Sequence, residues 1–396
     1  MVKIEPFEVE QWMDLYEVTP GVLNIAETCA ASVSINDLIA LSEDSNTPNP
    51  LDFSKKLTYG SIRGSDALRE RLASLYSVRT SSPLPKDNVL ITQGAINANF
   101  LILYTLLGPG DHVVCMHPTY QQLYDVPKSL GAEVSLWKLR RENKYIPSLD
   151  DLKPLVKDNT KMIIINNPNN PTGATTPKSV LKDLVEFARE KDIVILSDEV
   201  YRPLFHGIGP MDAEFPPSIL SLGYSKTIST GSMSKAYSLA GIRCGWIASR
   251  DRSIIEAVAS ARDYTTISVS QLDDAVASYA LSNSVLHALL GRNIKLAKTN
   301  FAILESFISE HGNICSWVKP TGGTTALVKF EKRGVPVEDV QFCKDVLEKT
   351  KVMFVPASKC FGEEFKGSVR IGFVSETDVL REALKVLGPY IRETLS

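Results

Sequence analysis

The chain predicts an α/β fold, a large domain with a mostly parallel seven-stranded sheet between helices, followed by a smaller α+β domain. Three observations predict it. Seven short apolar runs recur through the middle of the sequence, helical spacings separate them, and the rhythm changes near residue 290. The runs are Asn88–Thr92, Asp111–Met116, Ala132–Leu136, Lys161–Asn166, Ile193–Ser197, Thr227–Thr230 and Arg243–Ala248. Between them, segments such as Ile96–Leu107, Tyr120–Leu130 and Pro177–Lys191 repeat apolar residues at helical spacing, with ends marked by Gly-Pro-Gly-Asp or Thr-Pro. Strands alternating with helices in this way build a sheet covered on both faces.

Beyond residue 290 a long helical stretch, Val285–His311, leads to strand-like Thr324–Phe330, a helix near Val337–Thr350 and strand-like Val369–Phe373. The expected organisation is a large domain over 46–290 and a small one over 291–396. The first 45 residues, which carry no strand series of their own, are expected to pack with the latter. At 396 residues the chain is long enough for two or three domains.

Composition narrows the partners. Hydrophobic residues make up 44% and charged residues 22%, as in globular proteins, and the net charge of −3 gives no general attraction to nucleic acid or to an anionic membrane. A small-molecule ligand is expected instead. The six cysteines are scattered without a Cys-x-x-Cys pair, so neither a zinc site nor a disulfide framework is suggested. No signal-like or membrane-length apolar run occurs, and a cytoplasmic protein is expected.

The strongest chemical signal is Ser229–Ser249, STGSMSKAYSLAGIRCGWIAS. A lysine, Lys235, is followed eight residues later by Arg243 among small residues. That combination suits a phosphorylated aldehyde, offering an amine for a Schiff base and a fixed cation for the phosphate. On this string alone an ordinary surface lysine is the competing reading. A second signal is IVILSDEVY, an apolar strand ending in Asp198 with Tyr201 three residues on. Ligands of open α/β sheets bind beyond the carboxyl ends of strands, so Asp198 stands where a ligand group would be, although a solvated strand-end Asp reads the same way. In NNPNNPTG two prolines fix a turn that leaves asparagine side chains, Asn170 among them, as oriented donors. VLITQGAINANF passes from a strand through Gly94 into a helix whose first amides, at Gly94, Ala95 and Ile96, are free to bind phosphate. HPTYQQLY supplies Tyr120, LTYGSIRG supplies Tyr59, and SVRIGF supplies Arg370.

The order of these motifs, above all SMSKAYSLAGIRCGW, resembles the fold type I pyridoxal 5′-phosphate (PLP) enzymes of the class I/II aminotransferase branch, over nearly the whole chain. The resemblance implies PLP as cofactor, held by Lys235 as a Schiff base, with Lys235 then moving the proton at the substrate Cα. It implies phosphate contacts from Ser232, Arg243 and the Gly94–Ile96 helix start. Asp198 would face the pyridine nitrogen, Tyr201 and Asn170 the ring oxygen, and Tyr120 the ring face. Arg370 would clamp the α-carboxylate of an amino acid substrate, with Asn170 beside it, and Tyr59 would reach the partner's site in a homodimer. The implied reaction is transfer of the amino group of an L-amino acid to a 2-oxo acid.

Two segments depart from the branch. The amino-terminal loop, LNIAETCAASVSINDL, lacks glycine, and KPTGGTTALVKF carries Thr324 and Thr325 where an aromatic residue is frequent. Both are more similar to the group that includes capreomycidine synthase, which acts on arginine-type amino acids. That likeness keeps a PLP lyase, cyclase or substitution enzyme open as the alternative. A dinucleotide-binding reading is disfavoured, because no Gly-x-Gly-x-x-Gly follows a strand.

Overall fold

In a computed structural model that describes residues 3–396 except 79 and 81, the seven apolar runs form one sheet. Its strands are β1 (Val89–Thr92), β2 (His112–His117), β3 (Glu133–Lys138), β4 (Thr160–Asn166), β5 (Val194–Asp198), β6 (Thr227–Ser232) and β7 (Gly245–Ser249), in the order β1-β7-β6-β5-β4-β2-β3. The pairings from β6 through β5, β4 and β2 to β3 are parallel. Only β7 runs antiparallel, to both β1 and β6.

The side chains of these strands alternate between two cores. Leu90, Val113, Met162, Leu196 and Ile247 point to one, and Val89, Ile91, Val114, Ile163 and Ile195 to the other. With both faces covered, no strand needs a polar side, and the runs read as continuous apolar segments. Helix α2 (Gly94–Leu106) covers the first face and α4 (Lys178–Glu190) the second, while α3 (Gln122–Ser129) packs against α2.

The smaller sheet is antiparallel about β9 (Thr325–Lys332), which pairs with β8 (Cys315–Trp317) and with β11 (Ser368–Gly372); β10 (Val355–Pro356) lies beyond β11. The long helix α5 (Leu286–Glu310) leads into it and packs against α6 (Thr377–Leu395). The amino terminus begins with α1 (Glu8–Tyr16), whose Trp12 indole donates to the Phe354 carbonyl at 2.8 Å. Leu23–Asn24 then pairs in parallel with Val352–Met353. Residues 25–33 touch both bodies. Ile25 O accepts from Gly372 N and Ala31 N donates to Val374 O, whereas Ala30 N donates to Lys235 O and Val33 N to Ser238 O.

One expected strand start is corrected. Arg243 does not open β7; it closes a short 3₁₀ turn with φ of 46°, in the left-handed region, and the strand begins at Gly245. Among the described residues, no helix is long and apolar enough to cross a membrane.

Candidate active site

The carboxyl ends of β4, β5 and β6 open into a cavity of 570 Å³, into which the smaller sheet contributes Arg370. At the end of β5, Asp198 is buried. Its Oδ2 accepts from Asn99 Nδ2 at 3.0 Å and its Oδ1 from the Val200 amide at 3.1 Å. Thr230 Oγ1 donates to Asn99 Oδ1 at 2.8 Å, which fixes the amide with its nitrogen toward the acid. Burial pushes the Asp198 carboxyl up to about 6, against the pull of these two donors. A carboxyl held this way is short of a cationic partner.

β4 ends at Asn166, which donates to the Asp198 carbonyl at 3.0 Å and accepts from the Asn170 amide at 2.7 Å. The turn so anchored holds Asn170 beside Arg370, whose Nη1 lies 3.4 Å from Asn170 Oδ1. Arg370 Nη2 donates to the Ala26 carbonyl at 3.0 Å, and Nε has no partner. The guanidinium is 3% exposed and pairs with no acid among the described residues. A buried cation without a counter-charge calls for an anion from outside the chain.

Lys235 follows β6. Its Nζ donates to Thr28 Oγ1 at 2.6 Å and to Cys29 Sγ at 3.3 Å, and it lies 3.9 Å from Glu27 Oε1. Burial opposes its charge, whereas Glu27 and the ionised forms of Cys29 and Tyr201 raise the amine above the ordinary lysine range. Burial pushes the Cys29 thiol up to about 11, so it stands as a neutral neighbour. Burial likewise raises the buried Tyr201 hydroxyl at the cavity wall.

At the other end of the cavity, Ser232, Ser234 and Arg243 converge. Ser232 Oγ is 2.8 Å from Ser234 Oγ, and Arg243 Nη1 is 3.4 Å from Ser234 Oγ. Helix α2 starts beside them with no side-chain cap, leaving its first amides unpaired. Its approach depends on two glycines. A Cβ on Gly94, whose φ is +77°, would come within 2.9 Å of Arg243 Nη2. One on Gly245 would lie 2.4 Å from the Gly94 carbonyl carbon.

The cavity thus gathers Ala95, Ile96, Tyr120, Asn170, Asp198, Tyr201, Ser232, Lys235, Arg243 and Arg370, with Gly94 directly behind Arg243. Tyr120 donates from its hydroxyl to Glu10 Oε1 at 3.0 Å. Tyr59 is not brought in. It is 82% exposed and lines a separate depression with Arg71 and Asp274. Sequence reasoning passed over Asn99, Asn166, Ser234 and the Glu27–Cys29 contacts to the lysine. Asn99 had a signal, as a polar residue in an otherwise apolar helix.

A family model described as aminotransferase class I and II matches residues 36–387. The chain belongs to the class I and II aminotransferases. This aminotransferase is 30% identical over 358 residues to an aspartate aminotransferase of Thermotoga maritima, covering 88% of this chain and 89% of that one. Over 319 residues it is 30% identical to capreomycidine synthase of Streptomyces vinaceus, covering 80% and 78%. A solved PLP-dependent aminotransferase from Streptococcus suis superposes with a TM-score of 0.88 at 39% identity, over 99% of both chains.

The cofactor of this aminotransferase is pyridoxal 5′-phosphate. The side chains fit it. A buried amine suits an aldehyde, and the acid raised by burial suits a protonated ring nitrogen. The uncapped helix start with Arg243 and two serines suits a phosphate.

Proposed function

We propose that Lys235, Asp198 and Arg370 are the working groups of a transamination, in which Lys235 binds the cofactor aldehyde and then carries the proton at the substrate Cα. PLP supplies the aldehyde and a ring that withdraws electrons from Cα. Asp198 keeps the ring nitrogen protonated, and its burial and dependence on Asn99 support that role. Tyr201 and Asn170 orient the ring oxygen, and Tyr120 covers the ring face. Ser232, Arg243 and the amides of Gly94, Ala95 and Ile96 hold the phosphate. Arg370 clamps the α-carboxylate in a bidentate pair, with Asn170 beside it.

The observation that carries this reading is a lysine amine, a buried acid and an unpaired buried guanidinium opening into one cavity.

The active unit is a homodimer in which Tyr59 of one copy reaches the phosphate of the other. Two features support this. Tyr59 is exposed while absent from its own chain's cavity, and Phe53 and Tyr264 are 91% and 93% exposed on segments joined by the Gln271–Thr58 hydrogen bond. Exposed aromatic side chains on adjoining segments suit an interface. The cofactor-binding body spans 46–290 and the small domain 291–396, with the first 45 residues against the latter. The Leu23–Val352 pairing favours that arrangement, although residues 30–33 also bond to the lysine segment. Six buried, unpaired cysteines fit a cytoplasmic setting.

A single-turnover experiment tests the reaction. Without an acceptor, the loaded enzyme should release one equivalent of 2-oxo acid per site and lose its visible band, and a 2-oxo acid should restore the band. Release of a side-chain leaving group without 2-oxo acid would instead favour the lyase or cyclase alternative, to which the likeness to capreomycidine synthase points.

A further inference from the structure

We infer that the amino donor carries a cationic side chain, a guanidinium or an ammonium, which is received by an acidic wall opposite Arg370. This rests on the reading of Arg370 as the carboxylate clamp.

The cavity's basic residues, Lys235, Arg243 and Arg370, come from the turn after β6, the turn before β7 and strand β11. The outer wall is formed by α1 and its C-cap, and here Glu10, Asp14 and Glu17 line the cavity. Their spacing of four and three residues puts them on one helix face. Glu27 adds a carboxylate from the facing loop.

None of Glu10, Asp14 and Glu17 forms an ion pair among the described residues, whereas Glu8, two residues before Glu10, is paired with Lys359. Glu10 accepts only the Tyr120 hydroxyl. Burial and the proximity of Glu27, Glu10 and Asp14 raise the Glu17 carboxyl, so the acids sit close enough to repel one another.

Glu10, Asp14 and Glu17 are exposed where they line the cavity, whereas the neighbouring apolar Leu15 and Val18, 64% and 74% exposed, take no part in its wall. The buried guanidinium of Arg370, with its unpartnered Nε, independently marks the cavity as a ligand site and sets the ligand's direction. With the α-carboxylate on Arg370 and the amino group toward Lys235, the side chain extends toward α1. Aspartate or glutamate would bring a second carboxylate against three others. Both half-reactions share one cavity, so the acceptor is constrained too: a 2-oxo acid with a single carboxylate fits, and a dicarboxylate is repelled.

The test uses ligands that lack an amino group and so bind without reacting. Calorimetry on the PLP-loaded protein compares 5-guanidinopentanoate, its neutral counterpart 5-ureidopentanoate, and glutarate. The guanidino compound should bind roughly tenfold more tightly than the ureido compound, the scale of two or three partly screened ion pairs. In the Asp14→Asn/Glu17→Gln variant that ratio should fall to about two, and glutarate should bind better than to the parent. Equal affinity for the guanidino and ureido ligands in the parent protein, or glutarate as the tightest of the three, overturns the inference. Arg370→Leu separates the two readings. It should weaken all three ligands alike, and if it weakens none, the carboxylate clamp is what fails.

Discussion

Replacing Asp198 with asparagine should make the cofactor-free protein more stable at neutral pH while crippling its hold on PLP. The carboxyl is raised from 3.8 to about 6 by burial. The native state therefore keeps a proton that the unfolded chain releases between these values. Stability is undiminished below about pH 4, and falls as pH rises through 6. A displacement of about two units corresponds to a cost of roughly 3 kcal/mol above pH 7. Asparagine carries no charge and avoids that cost. Its NH2 would face one of the two donors, Asn99 and Val200, that now approach separate carboxylate oxygens, and the lost bond costs about 1 kcal/mol. The net expectation is a gain of roughly 2 kcal/mol at pH 8 and a loss of about 1 kcal/mol at pH 4, with a crossover between. Thermal unfolding of both apoproteins from pH 4 to 8 reads this directly, as a difference in Tm of a few degrees that changes sign. With PLP present the order should invert, because the variant offers no anion to a protonated ring, and its Kd for PLP should rise by about a hundredfold. If the variant is less stable than the parent by the same margin at every pH, Asp198 is not a strained acid waiting for a cation and the account of the ring-nitrogen partner is wrong.

Two further perturbations address other parts of the site. Arg370→Lys keeps the charge but loses the planar fork, so KM for the amino acid should rise about a hundredfold with a smaller change in kcat; an unchanged KM would place the carboxylate elsewhere. Gly245→Ala forces a methyl to within 2.4 Å of the Gly94 carbonyl carbon and 2.6 Å of the Ala95 amide nitrogen, so it should lower stability by about 2–3 kcal/mol and weaken PLP retention. Gly241→Ala, with nothing within 4 Å, serves as its control, and equal Tm values for the two variants would show that the helix start tolerates displacement.

The sheet was legible because its strands are buried on both faces. Met162–Ile165 and Ile195–Leu196 need no polar alternation, so each strand stands out against the amphipathic helices around it. The antiparallel direction of β7 was not legible, since orientation depends on how the chain returns and leaves no mark on a five-residue run. Arg243 was misread for a related reason. An arginine beside apolar residues resembles a strand start, and its left-handed backbone arises from the turn over Ala240–Ile242. Residues supplied by local motifs, such as Lys235 and Asp198, could be named from the string alone. Thr28, Cys29 and the acids of α1 could not, because they reach the lysine or the cavity from some 200 positions away in the chain. Their chemistry emerges only once the amino-terminal segment lies against both bodies.

That segment has a mechanical consequence. Residues 25–33 are stitched along one edge to the strand that carries Arg370 and along the other to the backbone of Lys235 and Ser238, and Thr28 rests on the lysine amine in between. Any displacement of the strand that carries Arg370 relative to the lysine segment would have to break those backbone bonds, so residues 25–33 hold the guanidinium and the amine at a fixed separation across the cavity.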